Sequence, residues 1–147
     1  MEYISHNEKE TYALADKIAK ASHAGDIFAL SGDLGSGKTT FVKAFAKSMN
    51  VGQPITSPTF VLIKTYKIAE ERIEANVLVH VDAYRLQGES DVEAIGLHEF
   101  MQRKDTIVLI EWPERVEGSL PDKTKHISFE YIDENTRKIT TDPENNL

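Results

Sequence analysis

The chain contains no cysteine. Disulfides, cysteine nucleophiles and thiolate metal sites are thereby excluded. No apolar run approaches the ~18 residues that a membrane-crossing helix needs. The opening, MEYISHNEKE, is acidic and polar and lacks the basic and apolar regions of a secretory leader. A cytoplasmic location with no membrane partner is therefore expected. The five histidines stand at 6, 23, 80, 98 and 126 without H-x-x-x-H spacing, so no zinc site is expected. Lys and Arg number 17 against 24 Asp and Glu, a formal charge of −7. Unaided binding to nucleic acid neutralises phosphates with Lys and Arg. Here the basic residues are few and unclustered, so any work on nucleic acid is expected to pass through a partner.

What is present fits one domain. A chain of 147 residues with 40% hydrophobic content can bury a single core. Asn7 and Glu10 have the spacing of a capping box, and Leu14, Ile18 and Ala21/Ala22 recur at helical spacing. The pattern predicts a helix over 8–24, stopped by Gly25. DIFAL at 26–30 is a short buried strand, and KTTFVKAFAKSM at 38–49 is a helix ended by Asn50 and Gly52. FVLIKTY (60–66), VLVHVD (77–82) and TIVLIEW (106–112) are strands, and AEERIEAN is a turn or surface excursion. ESDVEAIGLHEFM (89–101) is a helix broken or kinked at Gly96. KHISFEYID (125–133) alternates, which predicts an edge strand with one wet face. ENTR then turns into a last strand at 137–141. Helices interleaved with strands make the class α/β. The expectation is one P-loop NTPase-like domain over 1–141, with a mixed, mostly parallel sheet, late antiparallel edge strands and a flexible tail at 142–147.

SGDLGSGKTTF, residues 31–41, carries the clearest chemistry. The spacing Gly32-x-x-x-x-Gly37-Lys38-Thr39 fits the phosphate-binding loop, and a strand precedes it while a helix follows. Gly32, Gly35 and Gly37 let backbone N–H groups face phosphate oxygens, and the helix N-terminus adds a favourable dipole. In such a loop Lys38 reaches the β- and γ-phosphates, Thr39 offers its hydroxyl to Mg²⁺, and Thr40 reaches the α-phosphate. The guanine-reading N/T-K-x-D motif is absent, which favours ATP.

Mg²⁺ beside such a loop is held by a carboxylate at a neighbouring strand end. VLVHVD ends in Asp82 and IVLIE in Glu111, each after an apolar run. Both are expected at strand carboxyl ends, where ligands of open α/β sheets bind. One would hold the metal and the other would orient or deprotonate the attacking water; the sequence leaves open which does which. TSPTF at 56–60 has the position of a switch segment, with Ser57 or Thr59 sensing the γ-phosphate or metal. In HVDAYR, Arg85 can meet phosphate or a partner's carboxylate, and Tyr84 can stack or donate. His80 is read as a packing or hydrogen-bonding residue. Trp112 either borders the nucleotide or fills the core.

GDLGSGKTTF, TSPTF, HVDAYR and IEWPER, in that order along nearly the whole chain, resemble the bacterial TsaE family, small P-loop ATPases of tRNA threonylcarbamoyladenosine synthesis. The resemblance implies an ATP-hydrolysing accessory protein that docks on the transferase pair TsaD and TsaB and supports modification of the adenosine next to the anticodon. Contact with tRNA would pass through those partners. By motif match, Gly35, Ser36, Gly37, Lys38, Thr39 and Thr40 would hold the phosphates. Thr39 and Glu111 would hold Mg²⁺, Asp82 would be the hydrolytic acid, and Ser57 to Thr59 the switch. Thr11 would lie near the adenine, which Arg137 would also approach. No arginine is clearly placed as a built-in finger, so hydrolysis by the protein alone is expected to be slow. Two alternatives remain: a small-molecule kinase, although no arginine-rich lid segment is present, and a non-hydrolysing nucleotide sensor, which has less need of a water-orienting acid.

Overall fold

The computed structural model describes residues 1–56, 62–70 and 74–142. A seven-stranded sheet has the order β1-β7-β6-β2-β5-β4-β3. Its strands are β1 (Glu2–Ser5), β2 (Ile27–Ser31), β3 (Ile63–Lys67), β4 (Val77–Asp82), β5 (Thr106–Glu111), β6 (Lys125–Tyr131) and β7 (Arg137–Thr141). The central strands β6, β2, β5 and β4 are parallel, while β7 and β3 run against them. The sheet is therefore mixed with a mostly common strand direction, as the sequence leads one to expect. No helix is long and apolar enough to cross a membrane among the described residues.

Period-two alternation in strands buried on both faces explains the layers. Leu78, Ile107 and Leu109 join Phe28 and Leu30 under helices α1 (Glu8–Ala21) and α2 (Lys38–Ser48). Val79, Val81, Val108 and Ile110 face the other way, under α3 (Glu89–Ala94) and α4 (Leu97–Gln102). Aromatic edges lock α2 onto its face, with Phe28–Phe45 ring centroids 5.5 Å apart and Phe41–Phe129 5.3 Å apart. The Ser48 hydroxyl donates to the Asp16 carboxylate, joining the end of α2 to α1.

Local chemistry sets the element ends. The Asn7 side chain accepts from Glu10 N at 3.0 Å, but the Glu10 carboxylate returns to His6 N at 2.7 Å, one residue earlier than a capping box requires. That contact, with the His6 ring second, holds the Glu10 carboxyl below its usual range. Helix α1 stops before the expected 24, because Ser22 donates from both its hydroxyl and its N–H to the Ala19 carbonyl. Gly25 then makes the turn at φ 94°. The helix over 89–101 does break at Gly96, which sits in the left-handed region between α3 and α4.

One strand was unforeseen and one expectation needs correction. Strand β1 was not foreseen; it covers the outer edge of β7. Strand β6 is not an edge: it pairs parallel with β2 and antiparallel with β7. Its alternation has another cause. Ile127 and Phe129 pack under the helices, whereas His126, Ser128 and Glu130 are exposed on the opposite face. The TSPTF segment from Ser57, with the start of FVLIKTY, and residues 71–73 lie outside the described residues, as does the tail at 143–147. Asp142 is described, and its carboxylate accepts from His126 N at 2.8 Å.

Gly32 marks where the loop leaves β2. Its φ is +148°, and a Cβ there would meet the Phe129 carbonyl oxygen at 2.5 Å and Ser36 Oγ at 2.7 Å. The carbonyl belongs to β6 and cannot swing away. Gly35, at φ +79°, has open space around its Cβ position. Gly32→Ala is expected to cost about 2–4 kcal/mol through strain and overpacking, and Gly35→Ala about 1 kcal/mol through backbone strain alone. Thermal unfolding of both variants checks this: equal shifts would contradict the steric account.

Candidate functional site

The loop 32–37 joins β2 to α2 at the carboxyl end of the central strands. Gly37, the residue before the helix, takes a left-handed conformation at φ 103°. A cleft of about 600 Å³ opens here, lined by Gly35, Gly37, Lys38, Thr39 and Thr40 from the loop and helix, and by Asp82 and Glu111 from the strand ends. Pairing explains the meeting of the two acids. In the parallel β4–β5 ladder Asp82 stands opposite Glu111. Alternation puts both on the face that α2 covers, two residues beyond His80 and Leu109.

The acids differ in setting. Glu111 is buried, and its Oε2 lies 2.7 Å from Nε2 of His80, which is also buried. Asp82 is less buried, and its Oδ1 accepts from Tyr84 N at 3.0 Å. Between them and the loop lies Lys38. Burial pushes its ammonium below the usual lysine pKa, against the opposing pull of Glu111, Glu114, Asp82 and Asp33. Its Nζ donates to the Gly32 carbonyl and sits 3.8 Å above the centroid of the Trp112 ring. Trp112 follows β5 in a left-handed conformation at φ 58°, uncommon for a residue with a side chain. That turn sets the indole beneath the lysine and against Tyr84, with ring centroids 5.1 Å apart. Trp112 thus both borders the cleft and packs on the core below α3 and α4. Arg85 lines the cleft as well.

Thr11 and Ser36 do not line this cleft. Ser36 Oγ is buried beside Gly32 without a hydrogen-bond partner among the described residues. Its N–H donates to the Asp33 carbonyl at 3.1 Å. Thr11 lines a neighbouring cleft of about 240 Å³ with Ser5, Asn7 and Glu134. The Thr11 and Ser5 hydroxyls share a hydrogen bond of 2.7 Å. This smaller cleft and the larger one have Gly37, Thr40 and Arg137 in common. Arg137 is anchored at the junction: its Nη1 donates to the carbonyls of Asp133 at 2.6 Å and Thr136 at 3.0 Å, and its guanidinium lies 4.5 Å from the Tyr131 ring centroid. Ser57 and Thr59 lie outside the described residues.

The donor set fits Mg²⁺ and a polyphosphate. A threonine hydroxyl and a carboxylate are hard oxygen donors, and Mg²⁺ commonly takes one or two carboxylates and completes its shell with phosphate oxygens and water. No group of three or more His, Cys, Asp or Glu able to hold a metal gathers among the described residues. Sequence reading passed over Leu34 and Leu62; it took His80 as a packing or hydrogen-bonding residue, and the contact with Glu111 bears out the hydrogen bond. Leu34 and Leu62 line the cleft, and neither carries a sequence signal. His80 did: it lies two residues before Asp82, hence on the same strand face.

Residues 5–139 match the family described as "Threonylcarbamoyl adenosine biosynthesis protein TsaE". The chain is 37% identical over 134 residues to the tRNA threonylcarbamoyladenosine biosynthesis protein TsaE of Bacillus subtilis, covering 91% of this chain and 80% of that one. It is 37% identical over 142 residues to the protein of the same name from Aquifex aeolicus, covering 94% and 92%. Among solved structures it resembles the crystal structure of Bacillus subtilis YdiB, with a TM-score of 0.75 and 32% identity over 96% of this chain and 83% of that one. A match of this length, across the loop and both strand-end acids, places the chain in the TsaE family of threonylcarbamoyl adenosine biosynthesis proteins.

Proposed function

We propose that this protein binds ATP with Mg²⁺ in the larger cleft and hydrolyses it, and that this cycle supports tRNA threonylcarbamoyladenosine formation by a TsaD-like and TsaB-like pair in the cytoplasm. The observation that carries the reading is the Asp82–Glu111 register beside Lys38 and Thr39. It supplies two carboxylates on one face at the mouth of a phosphate loop, the arrangement that hydrolysis needs and mere binding does not.

Their settings suggest a division of labour. Glu111, buried and tied to His80 through one oxygen, suits the metal side with the Thr39 hydroxyl. Asp82 keeps Oδ2 available to accept a hydrogen bond from the attacking water and take its proton as the γ-phosphoryl group leaves. Lys38 exchanges the Gly32 carbonyl for phosphate oxygens, and the loop N–H groups take the rest. Bound Mg²⁺ would neutralise the charge shared by the β- and γ-oxygens. The triphosphate follows Gly35, Gly37, Lys38, Thr39 and Thr40. The shared wall at Gly37, Thr40 and Arg137 leads toward Thr11, so the smaller cleft is the place for the nucleoside.

Two features support a protein partner. At the cleft mouth Leu34 is 92% exposed and Tyr84 52% exposed, apolar surface suited to being covered. The charge of −7 disfavours direct tRNA contact.

Lys38→Ala is expected to weaken ATP binding at least tenfold, about 1.4 kcal/mol. Asp82→Asn should lower the hydrolysis rate by roughly 10²–10⁴ with nucleotide affinity nearly unchanged. Emission of the single tryptophan, Trp112, follows binding, and phosphate release follows turnover; equal loss of both in Asp82→Asn would contradict its role. Phosphate release should be slow alone and rise when the TsaD-like and TsaB-like proteins are added. A rate indifferent to both would count against the accessory role, and stoichiometric transfer to a small acceptor would favour a kinase.

A further inference from the structure

The His80–Glu111 contact is buried on both sides, at 1% and 6% exposure. A carboxylate can only accept, so the ring nitrogen facing it, Nε2, carries the hydrogen. The other ring nitrogen, Nδ1, is buried with no hydrogen-bond partner among the described residues. For stability alone this is a poor choice. A packed apolar residue at position 80 would match Leu78 and Leu109 on the same face of the sheet and leave no ring nitrogen unpaired. What the histidine supplies is direction: Glu111 Oε2 is engaged at 2.7 Å, and among the described residues no hydrogen bond engages Oε1 of this cleft-lining residue.

We propose that His80 is a positioning residue that fixes the Glu111 carboxylate by one oxygen so that the other is presented to the metal side of the cleft. The inference rests on the reading of the cleft as a Mg²⁺-nucleotide site. His80 sits in β4 and Glu111 in β5, so the bond spans the same ladder that aligns Asp82 with Glu111. The ring orients the acid from below as pairing brings the acids together from the side. Outer partners of this type typically change metal affinity or activity by about 10–100-fold when removed.

The test uses the full chain, with His80→Met to keep volume without a donor and His80→Gln to return an N–H near the Nε2 position. Trp112 emission gives ADP affinity in EDTA and the Mg²⁺ midpoint at fixed ADP; thermal unfolding of both variants confirms folding. His80→Met is expected to raise the Mg²⁺ midpoint roughly tenfold, to leave affinity in EDTA within about twofold, and to be largely rescued by His80→Gln. An unchanged midpoint in His80→Met overturns the inference, as does a loss that falls equally on EDTA affinity or that His80→Gln does not relieve. Absence of any Mg²⁺ effect in the unmutated protein would instead overturn the parent reading, and this inference with it.

Discussion

The parallel pairing of β4 with β5 is the constraint on which the rest of the site depends. Register sets Asp82 against Glu111, and side-chain alternation puts both on the face covered by α2. A slip of one residue in either strand would send its acid to the opposite face, among Val81 and Ile110. The register is held because both strands are buried on both sides. Any slip exchanges two complete sets of core contacts, at a cost far above the few kcal/mol of net stability that a domain of this size has in reserve.

On this frame the loop does little folding of its own. Gly32 lets it approach β6 closely, and its lysine is kept between opposing influences. Burial disfavours the ammonium, four carboxylates favour it, and the Gly32 carbonyl and the Trp112 ring give it a place to rest. An ammonium so held is already desolvated, so under the proposed function its transfer to phosphate oxygens would give up little water. The ring that receives it is in turn fixed by an uncommon backbone turn and by Tyr84, which links the interior of the cleft to its exposed rim.

The parts legible in the sequence are those that local pattern determines. VLVHVD was bounded correctly because a strand buried on both sides is a continuous apolar run, and TIVLIE for the same reason with its turn residue Trp112 included in error. The place of the loop between β2 and α2, and of Asp82 and Glu111 at strand ends, was legible because motif and strand ends coincide. Less visible was whatever depends on a distant neighbour. EYIS shows no strand signal by itself and becomes one through β7. KHISFEYID alternates because helices cover one face of the sheet there, a pattern identical in sequence to that of a half-exposed edge. His80 read as packing or hydrogen-bonding, but its partner was not legible, because Glu111 is 31 residues away and within reach only through register.

The most direct measurement is a crystal structure of the protein with Mg²⁺ and a non-hydrolysable ATP analogue. The account predicts Lys38 Nζ released from the Gly32 carbonyl onto a β- or γ-phosphate oxygen, Glu111 and Thr39 on the metal side, Asp82 facing the γ-phosphate, and the nucleoside toward Thr11 and Arg137. A triphosphate bound elsewhere, or one in the cleft with Asp82 and Glu111 both remote from the metal and the γ-phosphate, would contradict it.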